Sequence, residues 1–156
     1  MAVAGLVLRS PAFNDHDRMP DRFSLQAGNT SPALQWSGVP EGTAELVLMC
    51  EDPDAPSGAF LHWLVTGIDP DSDGVAEGEV PRGGREWRND FGEIGWGGPH
   101  PPVGDQPHRY FFHLYALREP LDLPNQGSRA PRVSDVQRAA RERQLASATL
   151  VGIFAR

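Results

Sequence analysis

The chain has 156 residues, the size of one domain, and its formal charge of −7 with a pI near 5.1 argues against nucleic acid or an anionic membrane surface as a general partner. Hydrophobic residues make up 39%, enough for a core that folds without a metal or a disulfide. The single cysteine, Cys50, excludes an intrachain disulfide and a cysteine-rich metal site.

In chain order, the first predicted element is a strand over residues 3–9. Its apolar run lacks the basic flank and the small-residue cleavage site of a signal peptide. No stretch reaches the ~20 apolar residues a membrane-crossing helix needs, so a cytoplasmic protein without stable membrane insertion is expected. Turn signals then recur at short intervals, among them Gly28-Asn29, Ser37-Gly38 and Glu41-Gly42. Residues 46–50, Leu-Val-Leu-Met-Cys, read as a strand in which Cys50 is a small buried hydrophobe.

Asp52-Pro53-Asp54-Ala55-Pro56 follows, a turn whose two prolines hold two carboxylates in a stiff backbone. Residues 60–68 and 108–117 carry large apolar groups at both parities, the mark of central strands covered on both sides. A period of two puts His62 on one face with Phe60 and Leu64, and His108 on one face with Tyr110 and Phe112. Between these strands, residues 75–96 read as a long ordered loop, and residues 97–104 as a rigid Gly/Pro loop. A helix is predicted over residues 135–145, with Ser134 as N-cap and Gln137 completing a capping box. A last strand covers 148–154. Many short strands with Gly/Pro turns point to an all-β fold, a β-sandwich or a barrel, with one or two short helices, in a single domain over residues 1–156.

Three stretches carry the polar chemistry. Asp52 stands in the stiff turn, His62 in an apolar strand where it must find a partner, and His108 at the start of another strand. A carboxylate beside an imidazole orients the ring and favours its protonated form. A second imidazole and the N–H groups of a Gly-rich loop add donors, and together they suit phosphate, sulfate or carboxylate. Spacing alone does not bring the three stretches together. Each also has a purely structural reading, as a core histidine, a turn aspartate and a strand start.

Six stretches taken together, in this order, resemble the phosphatidylethanolamine-binding protein (PEBP) family and its bacterial Raf-kinase-inhibitor-like branch. They are Ser31-Pro32-Ala33-Leu34-Gln35-Trp36, Asp52-Pro53-Asp54-Ala55-Pro56, Phe60-Leu61-His62-Trp63, Asn89-Asp90-Phe91-Gly92 with Gly95-Trp96-Gly97-Gly98-Pro99, Pro101-Pro102-Val103-Gly104, and His108-Arg109-Tyr110. The resemblance, and not the turn spacing, selects an antiparallel β-sandwich of two sheets: it implies a PEBP-like sandwich with a pocket at one end. It implies Asp52, His62 and His108 as ligand-binding residues, with Asp54, Pro56, Pro102 and Tyr110 lining or supporting the rim. It also implies a small anionic or phosphorylated ligand such as phosphate or a phosphoethanolamine-like head group, and a homodimer. Two positions depart from the family's pattern: Trp96 stands where tyrosine is usual, and Asp15-His16 where bacterial members commonly have an acidic residue and glycine. His100, flanked by prolines, is an exposed loop residue or a third imidazole at the rim.

The expected function is therefore non-enzymatic binding, with His62 and His108 donating hydrogen bonds and Asp52 orienting His62. No cofactor or metal is expected, although two histidines and a carboxylate form a donor set that metals accept. Two other readings stand beside it. One is a protein-interaction regulator of the kinase- or protease-inhibitor kind. The other is a hydrolase using the Asp/His pocket, for which no nucleophile motif is present.

Overall fold

The computed structural model describes residues 5–123 and 129–156. Two antiparallel sheets face each other. Strands β1 (Val7–Arg9), β2 (Leu34–Ser37) and β5 (Gly74–Val75) form the smaller sheet, in the order β1-β2-β5. Strands β3 (Glu45–Asp52), β4 (Phe60–Ile68), β6 (Arg85–Glu86), β7 (His108–Leu117) and β8 (Gln144–Phe154) form the larger one, in the order β6-β4-β3-β7-β8. Of the strand expected over 3–9, residues 3 and 4 lie outside the described residues, and pairing begins at Val7. The two very short strands β5 and β6 lie in the stretch expected to be an ordered loop.

The central strands are apolar on both faces because each face has its own cover. Leu46, Leu48 and Cys50 of β3 join Leu8, Leu34, Trp36, Trp63, Phe112 and Leu150 in the core between the sheets. Val47 and Met49, of opposite parity, pack with Leu61, Leu64 and Tyr115 beneath helix α1 (Val133–Arg143). The helix lays Val133, Val136 and Ala140 on that face. Full burial of Val136 contributes about 1.5–3 kcal/mol.

The helix starts earlier than its capping signals suggest. Arg132 occupies the N-cap position with extended backbone and no side-chain cap, so Ser134 lies inside the first turn and the capping box does not form. The last carbonyls are met from outside: the Arg118 N–H donates to the Arg143 carbonyl at 2.9 Å, and the Arg118 guanidinium to the Glu142 carbonyl at 2.6 Å. The chain passes from Arg143 directly into β8, which pairs with β7 along its length and so begins four residues before the predicted strand.

One irregularity decides where the site falls. Along the β3–β4 ladder, Cys50 pairs with Trp63 while Glu51 pairs with Leu61, so β4 carries one extra residue, His62. A bulge of this kind re-aims side chains. Here Trp63 turns into the core between the sheets, while Leu61 and Leu64 both face α1. The strict alternation expected from sequence, with His62 and Leu64 on one face, is thereby broken.

Candidate functional site

The C-terminal end of β3, the N-terminal ends of β4 and β7, and the Gly/Pro loop meet at one end of the larger sheet. They enclose a cavity of about 240 Å³. Asp52, His62, His108, Pro56, Pro102 and Tyr110 all line it. The polar groups in that set are almost wholly enclosed: Asp52 and His62 are each 3% exposed, His108 is 5% exposed and Tyr110 is fully buried.

Asp54 is placed differently. It stands outside the cavity lining and receives the Arg109 guanidinium on both oxygens, at 2.9 and 2.8 Å, and the Arg109 backbone N–H at 3.0 Å. Those hydrogen bonds hold its carboxyl below the usual range. Its role here is to pin the Asp-Pro-Asp-Ala-Pro turn to the start of β7. That turn is further set by the Asp54 N–H, which donates to Asp52 Oδ1 at 2.7 Å.

The two histidines are held by different partners, and the pairing differs from the one expected. Asp52 orients His108, not His62: His108 Nδ1 lies 2.7 Å from Asp52 Oδ2, and Nε2 lies 3.1 Å from Asp105 Oδ2. Burial opposes a charge on His108, but the two carboxylates outweigh it and move its pKa up. Burial also raises the Asp52 carboxyl, against the hydrogen bonds from His108 and Asp54. Both directions keep one proton on the pair.

His62 instead faces the Gly97 carbonyl, with Nδ1 at 2.5 Å. A carbonyl only accepts, so Nδ1 carries the hydrogen. Burial lowers the His62 pKa to about 4, against the pull of the Gly97 and Gly98 carbonyls, so the ring is neutral at pH 7. Its Nε2 is then an acceptor, which corrects the expectation that both imidazoles donate.

The Gly/Pro loop reaches His62 because glycine allows close approach. Gly97 N–H donates back to the His62 carbonyl at 2.9 Å. The next residue packs against the end of the single helical turn Asp21–Phe23 and the residues after it, where a Cβ on Gly98 would sit 2.0 Å from the Phe23 carbonyl oxygen. Trp96, in place of the family's tyrosine, donates its indole N–H to that same carbonyl at 3.1 Å and stacks on Phe112.

Sequence reasoning missed the apolar wall. Phe60 and Phe91 line the cavity with their rings 4.8 and 5.5 Å from the His62 ring. Phe91 is held by buried Asn89, whose side chain bonds the Phe91 N–H and the Gly95 carbonyl, both at 2.9 Å. Both phenylalanines stand inside the quoted stretches, and Phe60 shares parity with His62, so the signal was present. Ala55, Ser57, Pro101 and His100 complete the lining, which puts His100 at the rim. Among the described residues, no three His, Cys, Asp or Glu side chains converge as a metal-binding set.

A two-sheet sandwich with a buried acid and two imidazoles at one end defines a class of small pocket-bearing β-proteins. A family model described as phosphatidylethanolamine-binding protein matches residues 9–155, and the chain belongs to that family. It is 43% identical over 154 residues to a UPF0098 protein of Methanothermobacter thermautotrophicus, covering 96% of this chain and 98% of the relative. It is 43% identical over 155 residues to "Putative lipoprotein LppC" of Mycobacterium tuberculosis, covering 98% and 74%. The crystal structure of Escherichia coli YbcL superposes with a TM-score of 0.86 at 30% identity, covering 98% of this chain and 99% of that one.

Proposed function

We propose that the cavity binds a small anionic or phosphorylated ligand without chemical turnover. One observation carries this reading: three polar side chains, Asp52, His62 and His108, are each at least nineteen-twentieths buried and line the same cavity. Burying such groups is costly, and a fold that keeps them around an open space does so most economically where a ligand completes their hydrogen bonding.

The chemistry of the lining narrows the ligand. Among the described residues the buried Tyr110 hydroxyl has no hydrogen-bond partner, and His108 holds a proton. Both are donors for an anionic oxygen. His62 offers a lone pair at Nε2, which suits a P–OH or an ammonium N–H. A phosphomonoester, whose second pKa is about 6, supplies both kinds of oxygen as the monoanion. The phenylalanines and prolines provide an apolar collar for whatever the phosphate is attached to. A hydrolase working through a covalent intermediate would need a protein nucleophile. Cys50 does not serve, because it lies in the core and burial pushes its thiol well up.

A cytoplasmic location belongs to the same proposal. No helix among the described residues is long and apolar enough to cross a membrane. Fractionation of the source cell tests the location.

The test of binding is thermal denaturation with inorganic phosphate and with O-phosphoethanolamine. The wild-type protein is expected to melt higher with either ligand, more so at pH 6 than at pH 8. The His62→Ala, His108→Ala double variant is expected to show no ligand-dependent shift. A full shift in that variant places binding elsewhere.

A further inference from the structure

In this structure both ring N–H groups of His108 are already engaged, so it can donate to a ligand only by giving up one of its present partners. One ring nitrogen faces Asp52 and the other Asp105. These two carboxylates are held very differently. Asp52 closes β3, is buried, and receives the Asp54 N–H on its other oxygen. Asp105 belongs to an exposed turn, and its side chain is 41% exposed. Its carboxylate has His108 as its only hydrogen-bond partner among the described residues.

The geometry of that turn aims Asp105. The Asp105 N–H donates to the Pro102 carbonyl at 3.2 Å and closes a four-residue turn, Pro102-Val103-Gly104-Asp105. Gly104 has φ +88°, the left-handed value that this turn needs at its third position and that glycine adopts without strain. Pro102, at the start of the turn, lines the cavity. The groups that bear on His108 from each side are Asp52 of β3, Asp54 of the following turn, His62 of β4 and Asp105 itself. His108 lines the cavity, whereas Asp105 stands just outside that lining, in the neighbouring surface groove that His108 also borders; an anion that takes the Nε2–H must therefore displace a carboxylate.

Resting on the anion-binding reading above, we propose that Asp105 is a built-in competitor for the pocket's ligand: its carboxylate holds the Nε2–H of His108 until a phosphate-type anion displaces it and the 102–105 turn swings outward. The exchange replaces one anion on His108 by another, so the imidazolium is never left without a partner. What opposes binding is the loss of the partly exposed Asp105 contact, a small term, together with the long Gly104 N–H bond to the Arg156 carbonyl at 3.4 Å. Asp105 thereby sets the affinity threshold of the pocket and selects for anions that donate or accept at more than one point.

Isothermal titration of inorganic phosphate and O-phosphoethanolamine into wild-type, Asp105→Asn and Asp105→Ala proteins tests this. Vesicles bearing a phosphatidylethanolamine head group form a third arm, separating a lipid source from a free one. Each variant's fold is checked by its melting curve. Both variants are expected to bind the soluble ligands roughly 1.5- to fivefold more tightly, the size of one solvent-accessible charged contact. Equal or weaker binding by folded variants overturns the competitor role and leaves the anion reading standing. No binding by any of the three proteins overturns the anion reading and the competitor role with it. Should the variants not fold, the wild-type protein decides alone: saturating phosphate must shift the Asp105 carboxyl ¹³C resonance, and an unmoved resonance overturns the proposal.

Discussion

His62 Nδ1 donates to the Gly97 carbonyl across 2.5 Å, and the Gly97 N–H returns a bond to the His62 carbonyl. This mutual pairing locks one tautomer and presents a neutral imidazole to the cavity. It has a consequence for acid stability. In the unfolded chain His62 takes up a proton near pH 6.5; in the folded chain it does so only at about 4. Between those values the unfolded state binds more protons, so stability falls as pH drops. The loss amounts to about 3 kcal/mol from pH 7 to below pH 4. Urea denaturation at pH 7 and pH 4.5 is expected to show a smaller difference in His62→Gln than in the wild type. An identical difference would mean that His62 charges freely in the folded protein.

The Asp52–His108 pair acts at the other end of the pH scale. The His108 pKa is raised on folding, so its stabilising contribution is complete below pH 6.5 and is lost as pH rises through the folded value. Asp52→Asn removes the buried carboxylate that helps hold this proton. NMR titration of the His108 ring should then give a lower pKa than in the wild type. The variant should also lose less stability than the wild type between pH 6.5 and 9.

Tyr110 separates stability from binding. Its hydroxyl is buried without a partner among the described residues, and a group in that state costs about 1–3 kcal/mol of desolvation. Tyr110→Phe is therefore expected to leave folding stability unchanged or raise it by about 1 kcal/mol. Phosphate affinity should fall by roughly tenfold, the worth of one hydrogen bond. Unchanged affinity in the titration would show that the hydroxyl takes no part in ligand binding.

His16 carries a backbone cost. Its φ is +69°, in the left-handed region that glycine adopts without strain. The conformation is imposed by β8: the His16 N–H donates to the Val151 carbonyl at 2.7 Å, while Asp15 accepts the Val151 N–H at 2.8 Å. A non-glycine residue pays about 1–2 kcal/mol there, partly offset by the unfolded-state entropy of glycine. His16→Gly is expected to raise stability by about 0.5–1 kcal/mol in urea denaturation. A loss of stability would show that the exposed His16–Asp15 contact outweighs the strain.

Much was legible in the chain itself. Strands Phe60–Ile68 and His108–Leu117 match their predicted bounds, because runs of large apolar side chains on both parities have no stable place except between two covers. Turn spacing pointed to an all-β sandwich or barrel, the resemblance to the family selected the two-sheet sandwich, and the cavity-lining acid, imidazoles and prolines stand in stretches whose order resembles the family's. Strand β8 was only partly legible: residues 144–147, Gln-Leu-Ala-Ser, precede the predicted strand, and their extended form comes from backbone pairing with β7. Ser134 carried a good capping signal, yet packing of Val133 against the sheet starts the helix sooner.

Tertiary structure alone decided how the polar residues divide their partners. A period of two cannot reveal the bulge at His62, since the extra residue exists only relative to the partner strand. Asp52 lies near both histidines in any account of the pocket, but the position of the Gly97 carbonyl gives His62 a neutral, acceptor role and leaves Asp52 to His108. Nor could the sequence assign Asp105, one of many exposed acids, to the far side of the same imidazole. Residue types and their order determined which chemistry this protein carries. Hydrogen-bond direction and proton position depend on ångström-scale placement of groups distant in the chain, and only the folded arrangement supplies that.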